Sequence, residues 1–287
     1  MALTDPRSDR RRAGVVGSPV EHSLSPVLHS AAYSALGLDW SYERIERDAD
    51  GLSGMAPRLG PEWAGLSVTM PGKRAALELA AEATERAAAV GAANTLARRA
   101  DGSWAADCTD VDGVAGALRA AAGFAGGERA LLLGAGGTAV AALAAFADLG
   151  VGEVVLAVRE PARAAEAEAT ARRVGVAVRT ERLDEFDVAG ETAGADVVVS
   201  TLPAGGADPH VAALAEAAHV LDVVYHPWPT PLATAVERAG GRLATGLDML
   251  LHQSFGQVEQ FTGLPAPRER MREALFAATG GQLPLPL

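Results

Sequence analysis

The chain has 287 residues, 49% of them hydrophobic, with 36 acidic against 25 basic side chains and a formal net charge of −11. That length suits two domains, and the acidity excludes the basic footprint that nucleic acid or an anionic membrane surface requires. One cysteine, Cys108, excludes an intrachain disulfide and a cysteine-built zinc site, so no metal is expected and a reducing, cytoplasmic setting is.

In chain order, residues 1–12 are polar and basic (TDPRSDRRR) and are expected to form a disordered arm; no apolar core follows them as in a signal peptide. No apolar run approaches the roughly 20 residues that span a bilayer. A short strand is predicted at 13–17, then a helix with Ser25 as N-cap, Pro26 as its first residue and Gly37 closing it. A half-buried strand at 41–45 and a polar helix at 49–59 lead to GLSVTMPGK, 65–73. This stretch reads as a buried strand ending at Pro71, followed by a helix with Lys73 in its first turn. Thr69 and Lys73 then lie at the carboxyl end of a strand, where open α/β sheets place ligands. An alanine-rich helix over 75–90 is followed by a strand in VGAANTLAR and a hairpin partner at 104–107, turned by Asp101 and Gly102.

A helix at 111–123 leads into a second unit with strands at 129–133, 153–158, 176–180, 196–200 and 219–225. All are rich in Val and Leu, as strands covered on both faces are, and right-handed crossovers between them give a parallel, doubly wound sheet. An apolar helix from Gly246 and a last helix over 267–278 close the chain. The expected fold is α/β: a first α/β domain over 1–110, a Rossmann-type domain over 111–246, and C-terminal helices (247–287) returning to complete the first domain.

Between the strand at 129–133 and the next helix runs Gly134-Ala135-Gly136-Gly137-Thr138-Ala139, spaced as a dinucleotide fingerprint. The first glycine makes the tight turn, the second lets a pyrophosphate reach the backbone, and Ala139 stands for the third; the pyrophosphate would rest on the helix N-terminus. After the second strand, Arg159 suits a 2′-phosphate, which favours NADP. Its neighbour Glu160 suits a free ribose hydroxyl and keeps NAD open, and Arg163 adds positive charge. Elsewhere, Ser23, Ser25, Thr69, Lys73, Asn94, Thr109 and Asp110 fall in loops or at strand ends, a set suited to a small polyhydroxylated ligand. Lys73 and Asp110 together could hold a hydroxyl at a reacting carbon and relay its proton. Each also has a plain structural reading: the serines and Asp110 as helix caps, Asn94 as a turn partner.

The ordered motifs GSPVEHSLSP, GLSVTMPGK, GAANTL, DCTD, GAGG, Arg159, DVVY and GLDMLLHQ resemble those of shikimate dehydrogenases, over 14–264. WPTPLATAV and HQSFGQVEQFTGLPAPRE are similar to the actinobacterial-type branch. The resemblance implies that Ser23 and Ser25 bind a substrate carboxylate and that Thr69 and Asn94 bind ring hydroxyls. Lys73 and Asp110 are implied as the catalytic pair, with Tyr225 and Gln253 reaching the substrate. The glycines of 134–137 are implied as the NADP loop, with Gly246 and Met249 also binding the cofactor and Met249 near the nicotinamide. The activity implied is reversible, NADPH-dependent reduction of 3-dehydroshikimate to shikimate, in a monomer or homodimer whose only partners are small molecules. Three departures stand out. Ser67 stands where many members carry Asn, Cys108 where the motif has Asn, and Val158-Arg159-Glu160 where many have Asn-Arg-Thr. They leave an NAD-linked quinate/shikimate or aminoshikimate dehydrogenase as the alternative. A non-catalytic sensor is a third reading, disfavoured because Lys73 and Asp110 are both present.

Overall fold

In the computed structural model, residues 10–287 are described, and the chain forms two compact units. One runs through Thr109 and takes up Gln253–Leu285 and Leu287; the other is Asp110–His252 with Pro286.

The first unit contains β1 (Arg12–Gly17), α1 (Ser25–Ala35), β2 (Ser41–Glu46), α2 (Ala49–Met55), β3 (Trp63–Val68), α3 (Lys73–Leu79), β4 (Glu82–Ala83), α4 (Glu85–Val90), β5 (Thr95–Arg98) and β6 (Trp104–Asp107). Its sheet has the order β2-β1-β3-β5-β6-β4. The first three strands are parallel, whereas β5 runs antiparallel to β3 and to β6. Every residue of β3 is buried, and Leu52, Trp63, Leu66, Val68, Leu96 and Trp104 form the core on one side. Burying that apolar surface, at about 25 cal/mol per Å², is what holds β3 in the sheet's interior and its carboxyl end in a fixed place.

The second unit contains α5 (Asp110–Ala120), β7 (Arg129–Leu133), α6 (Gly137–Asp148), β8 (Glu153–Val158), α7 (Ala165–Val174), β9 (Ala177–Arg182), α8 (Val188–Ala193), β10 (Val197–Ser200), α9 (Val211–Leu214), β11 (His219–Asp222), α10 (Pro231–Ala239) and β12 (Arg242–Thr245). All its strand pairs are parallel, in the order β12-β11-β10-β7-β8-β9. This is the doubly wound dinucleotide-binding topology, with its switch point between β7 and β10. From β12 the chain enters α11 (Gly246–Thr262), which ends within the first unit, and then α12 (Arg268–Ala278).

The α/β class and the parallel sheet are as the sequence predicts, and several elements differ in detail. Most of the expected arm lies outside the described residues, but Arg12 opens β1, its N–H bonded to Glu62 O at 2.8 Å. Ser25 is the first residue of α1 and not its cap; its own N–H is met by Ser23 Oγ at 3.3 Å. The strand of GLSVTMPGK ends at Val68, and Thr69 to Gly72 form a turn closed by Gly72 N to Thr69 O at 2.9 Å. The helix expected over 75–90 is two helices. Between them the backbone pairs with β6 instead, through Ala81 N to Trp104 O and Thr84 N to Ala106 O, and Thr84 caps α4. β12 is not anticipated by the sequence; its four residues are held by β11 alone.

Candidate active site

In the first unit Thr69, Lys73 and Asn94 lie together at the carboxyl end of β3. Thr69 N donates to Val16 O at 2.8 Å, which keeps the residue in line with β1 as the strand ends. Lys73 opens α3, and its carbonyl accepts from Ala93 N at 2.9 Å; the next residue, Asn94, returns the link through its own carbonyl to Val68 N at 2.7 Å. Lys73 and Asn94 are thus fixed from adjoining backbone.

Asn94 is buried and its side chain is fully oriented. Oδ1 accepts from Thr109 N at 2.8 Å, Thr109 Oγ1 at 3.1 Å and Thr95 Oγ1 at 2.9 Å. Nδ2 donates to Gln253 Oε1 at 2.7 Å. A carbonyl oxygen with three donors and an amide with a directed acceptor leave no ambiguity about which way this side chain faces. Ser23 and Ser25 lie together at the start of α1, 3.2 Å apart through their hydroxyls, and Arg44 clasps the Ser23 carbonyl with Nε and Nη2 at 3.1 and 2.6 Å. A guanidinium so near two serines makes this a favourable place for an anion.

Behind that wall lies a buried set of side chains of which the sequence singles out only Ser67. Tyr42 donates to Ser67 Oγ at 2.7 Å, and Ser67 donates to Gln257 Oε1 at 2.8 Å. His29 stacks on Tyr42 with ring centroids 4.1 Å apart, and burial holds its imidazole down at about 3 against the weaker opposing effect of its hydrogen bond to Gln257 Oε1. Burial also pushes the Tyr42 hydroxyl up. Gln257 is legible in principle, since it sits one turn after Gln253 on α11. Cys108 is buried, as its poor hydrogen-bonding capacity suggests, and its N–H donates to Asp107 Oδ1 at 2.8 Å.

The second unit carries the nucleotide features. Gly134 has φ +100°, and a Cβ there would lie 2.5 Å from Thr201 Oγ1, so only glycine fits the turn. A Cβ on Gly136 would meet open space, and Gly137 and Thr138 begin α6. Gly134, Ala135, Gly136, Arg159, Glu160, Arg163, Glu166 and Thr201 line a cavity of about 950 Å³. An open glycine turn at a helix N-terminus with two arginines beside it fits a dinucleotide carrying a 2′-phosphate. Asp110 is buried at the start of α5. Asp222, whose carboxyl burial pushes up, pins the loop bearing Tyr225 by accepting from Val224 N at 3.2 Å and Thr230 Oγ1 at 2.8 Å. Gly246 is packed so closely that a Cβ would run into Val223 O. Met249 is buried in α11, whose start is held by Asp248 Oδ2 on Thr245 N and Oγ1 at 2.8 and 2.7 Å. Among the described residues no cluster of His, Cys, Asp and Glu could hold a metal ion, and no helix is long and apolar enough to cross a membrane.

Comparison with known proteins matches both ends of the chain to family models. Residues 15–96 match the shikimate dehydrogenase substrate binding domain, and residues 246–276 match the shikimate 5'-dehydrogenase C-terminal domain. A shikimate dehydrogenase (NADP(+)) of Citrifermentans bemidjiense is 40% identical over 277 residues, covering 92% of this chain and 94% of that one. The crystal structure of Mycobacterium tuberculosis shikimate dehydrogenase is 54% identical with a TM-score of 0.87, covering 93% of this chain and 99% of that one. The quinate dehydrogenase of Corynebacterium glutamicum, solved with NAD, is 31% identical with a TM-score of 0.83, covering 94% of this chain and all (100%) of that one. With the polar wall and the glycine turn in place along a chain so widely matched, this protein belongs to the shikimate dehydrogenase family.

Proposed function

We propose that the protein reversibly reduces 3-dehydroshikimate to shikimate with NADPH, Lys73 and Asp110 handling the proton. The observation that carries this reading is the Asn94–Gln253 bond at 2.7 Å, which joins residues far apart in sequence into one wall beside the Lys73 turn. Amide and hydroxyl groups arranged in this way suit a ring bearing several hydroxyls. Ser23 and Ser25, with Arg44 behind them, take the carboxylate; Thr69, Asn94, Tyr225 and Gln253 take hydroxyls.

Gly134, Ala135, Gly136, Gly137 and Thr138 hold the pyrophosphate, Arg159 the 2′-phosphate, and Gly246 and Met249 the nicotinamide. The bound cofactor supplies the hydride to the carbonyl carbon, so the carbonyl oxygen gains negative charge and requires a proton. Lys73 Nζ stabilises that charge as it grows and passes a proton to the oxygen, with Asp110 as its partner. In the reverse direction the same pair accepts the hydroxyl proton. General acid catalysis contributes about 10²–10⁴-fold, so Lys73→Ala lowers kcat by that order with an unchanged circular dichroism spectrum. Full activity in that variant removes Lys73 from the mechanism. A cytoplasmic location accords with a single, buried cysteine.

One observation favours a second reading. Glu160 and Glu166 line the same cavity as Arg159 and Arg163. Carboxylates there repel a 2′-phosphate and can accept from a free ribose hydroxyl, which suits an NAD-linked enzyme of quinate or shikimate.

A further inference from the structure

The chain of buried hydrogen bonds behind the substrate wall has a fixed direction, and its origin is the amide of Gln257. Nε2 of Gln257 donates to Asn94 O and to Thr95 Oγ1, both at 3.2 Å. Its Oε1 therefore faces the other way and accepts, from Ser67 Oγ at 2.8 Å and from His29 Nε2 at 3.3 Å. His29 must then carry its hydrogen on Nε2, leaving Nδ1 to accept from Tyr33 Oη at 3.4 Å. Ser67 has one hydrogen, committed to Gln257, so it can only accept from Tyr42 Oη at 2.7 Å. Tyr42 has one hydrogen, committed to Ser67. Tyr42 and Asn94 are thus tied into one ordered chain whose every link is buried.

We propose that Tyr42 and Gln257 are positioning residues for substrate binding, holding Asn94 through the chain Tyr42–Ser67–Gln257–Asn94. This rests on the shikimate dehydrogenase reading above. It also gives Ser67 a role: its hydroxyl is taken up by Tyr42 and Gln257, so it braces the wall. Tyr42 reaches Ser67 across β1 from β2, with the small Ala13 paired beside Tyr42 in the register.

The test is steady-state kinetics of shikimate oxidation for the wild type, Tyr42→Phe, Ser67→Ala and the double variant, with thermal unfolding of each. Tyr42→Phe keeps a ring to stack on His29 while removing one hydroxyl. Each single variant should raise KM for shikimate about tenfold, the order of one buried hydrogen bond. KM for NADP should be unchanged and kcat should stay within about threefold. The double variant should be little worse than either single one, because both cut the same chain. A wild-type KM in Tyr42→Phe, or a lowered Tm with no change in KM, overturns the positioning role while leaving the function intact. Fully multiplicative effects in the double variant overturn the chain as the route. If Tyr42→Phe does not fold, Ser67→Ala reads the same link. A wild type that does not turn over shikimate sinks the functional reading, and this inference with it.

Discussion

Arg86 grips Asp107 with two nitrogens, Nε to Oδ1 at 2.8 Å and Nη2 to Oδ2 at 2.5 Å. Asp107 is the last residue of β6, and its carboxylate also accepts from Thr84 Oγ1 at 2.6 Å, Cys108 N at 2.8 Å and Gln260 Nε2 at 2.7 Å. It therefore binds α4, β6 and α11 together just before Thr109 and Asp110. Burial pushes the Asp107 carboxyl up, but the Arg86 and Thr84 hydrogen bonds and the Arg86 charge outweigh it and hold it below the usual carboxylate range. A carboxyl depressed on folding adds stability that is complete above its unfolded value, near 4, and is lost as pH falls through the folded one. Arg86→Ala should cost about 2 kcal/mol at pH 7, with the difference from wild type closing as denaturation curves are taken below pH 4.

His29 adds to the loss of stability in acid by a different route, because burial holds it neutral. Its folded value of about 3 lies below the unfolded value of 6.5, so between these limits the unfolded chain binds the extra proton. Stability then falls on acidification, by about 1.4 kcal/mol per pH unit below 6.5 at most. The Tm of His29→Gln should fall less steeply than that of the wild type between pH 6.5 and 4. Parallel slopes would mean that His29 titrates freely.

Gly17 determines the position of Thr69. A Cβ on Gly17 would run into Thr69 Cγ2 and lie 2.8 Å from Met70 O. Gly17→Ala should push Thr69 out of line with Val16 and lower kcat/KM for shikimate by about tenfold or more, since displacements near 1 Å at a site carry large rate costs. NADPH binding, followed by nucleotide fluorescence, should be unaffected.

The cofactor cavity sets charge against charge. Arg159→Ala should raise KM for NADP about tenfold or more and leave KM for NAD within about twofold, because the lost contact is to the 2′-phosphate. Glu160→Thr should move the ratio of the two coenzymes towards NADP. Equal effects on both coenzymes would place Arg159 elsewhere than at the 2′-phosphate.

Much of the fold is legible in the sequence because local signals and tertiary structure agree. RALLL and EVVLAV are Val- and Leu-rich runs that become β7 and β8 with the expected bounds. The alanine stretch after Lys73 misleads because helix propensity is uniform there, whereas the break is made by pairing with β6, a partner more than twenty residues away. β12 has no run of its own and exists because β11 offers an open edge. Motifs locate the outer polar wall, since residues facing a ligand carry recognisable chemistry. Tyr42, His29 and Gln257 stay hidden because each taken singly resembles an ordinary core or helix residue, and only the sheet and α11 bring them into contact with Ser67.

The central claim, an NADP-linked oxidoreductase of shikimate, is tested most directly by a matrix of kcat/KM values for shikimate and quinate, each with NADP and with NAD. Shikimate with NADP should exceed every other pair by about tenfold or more. A higher value for quinate with NAD would contradict the claim.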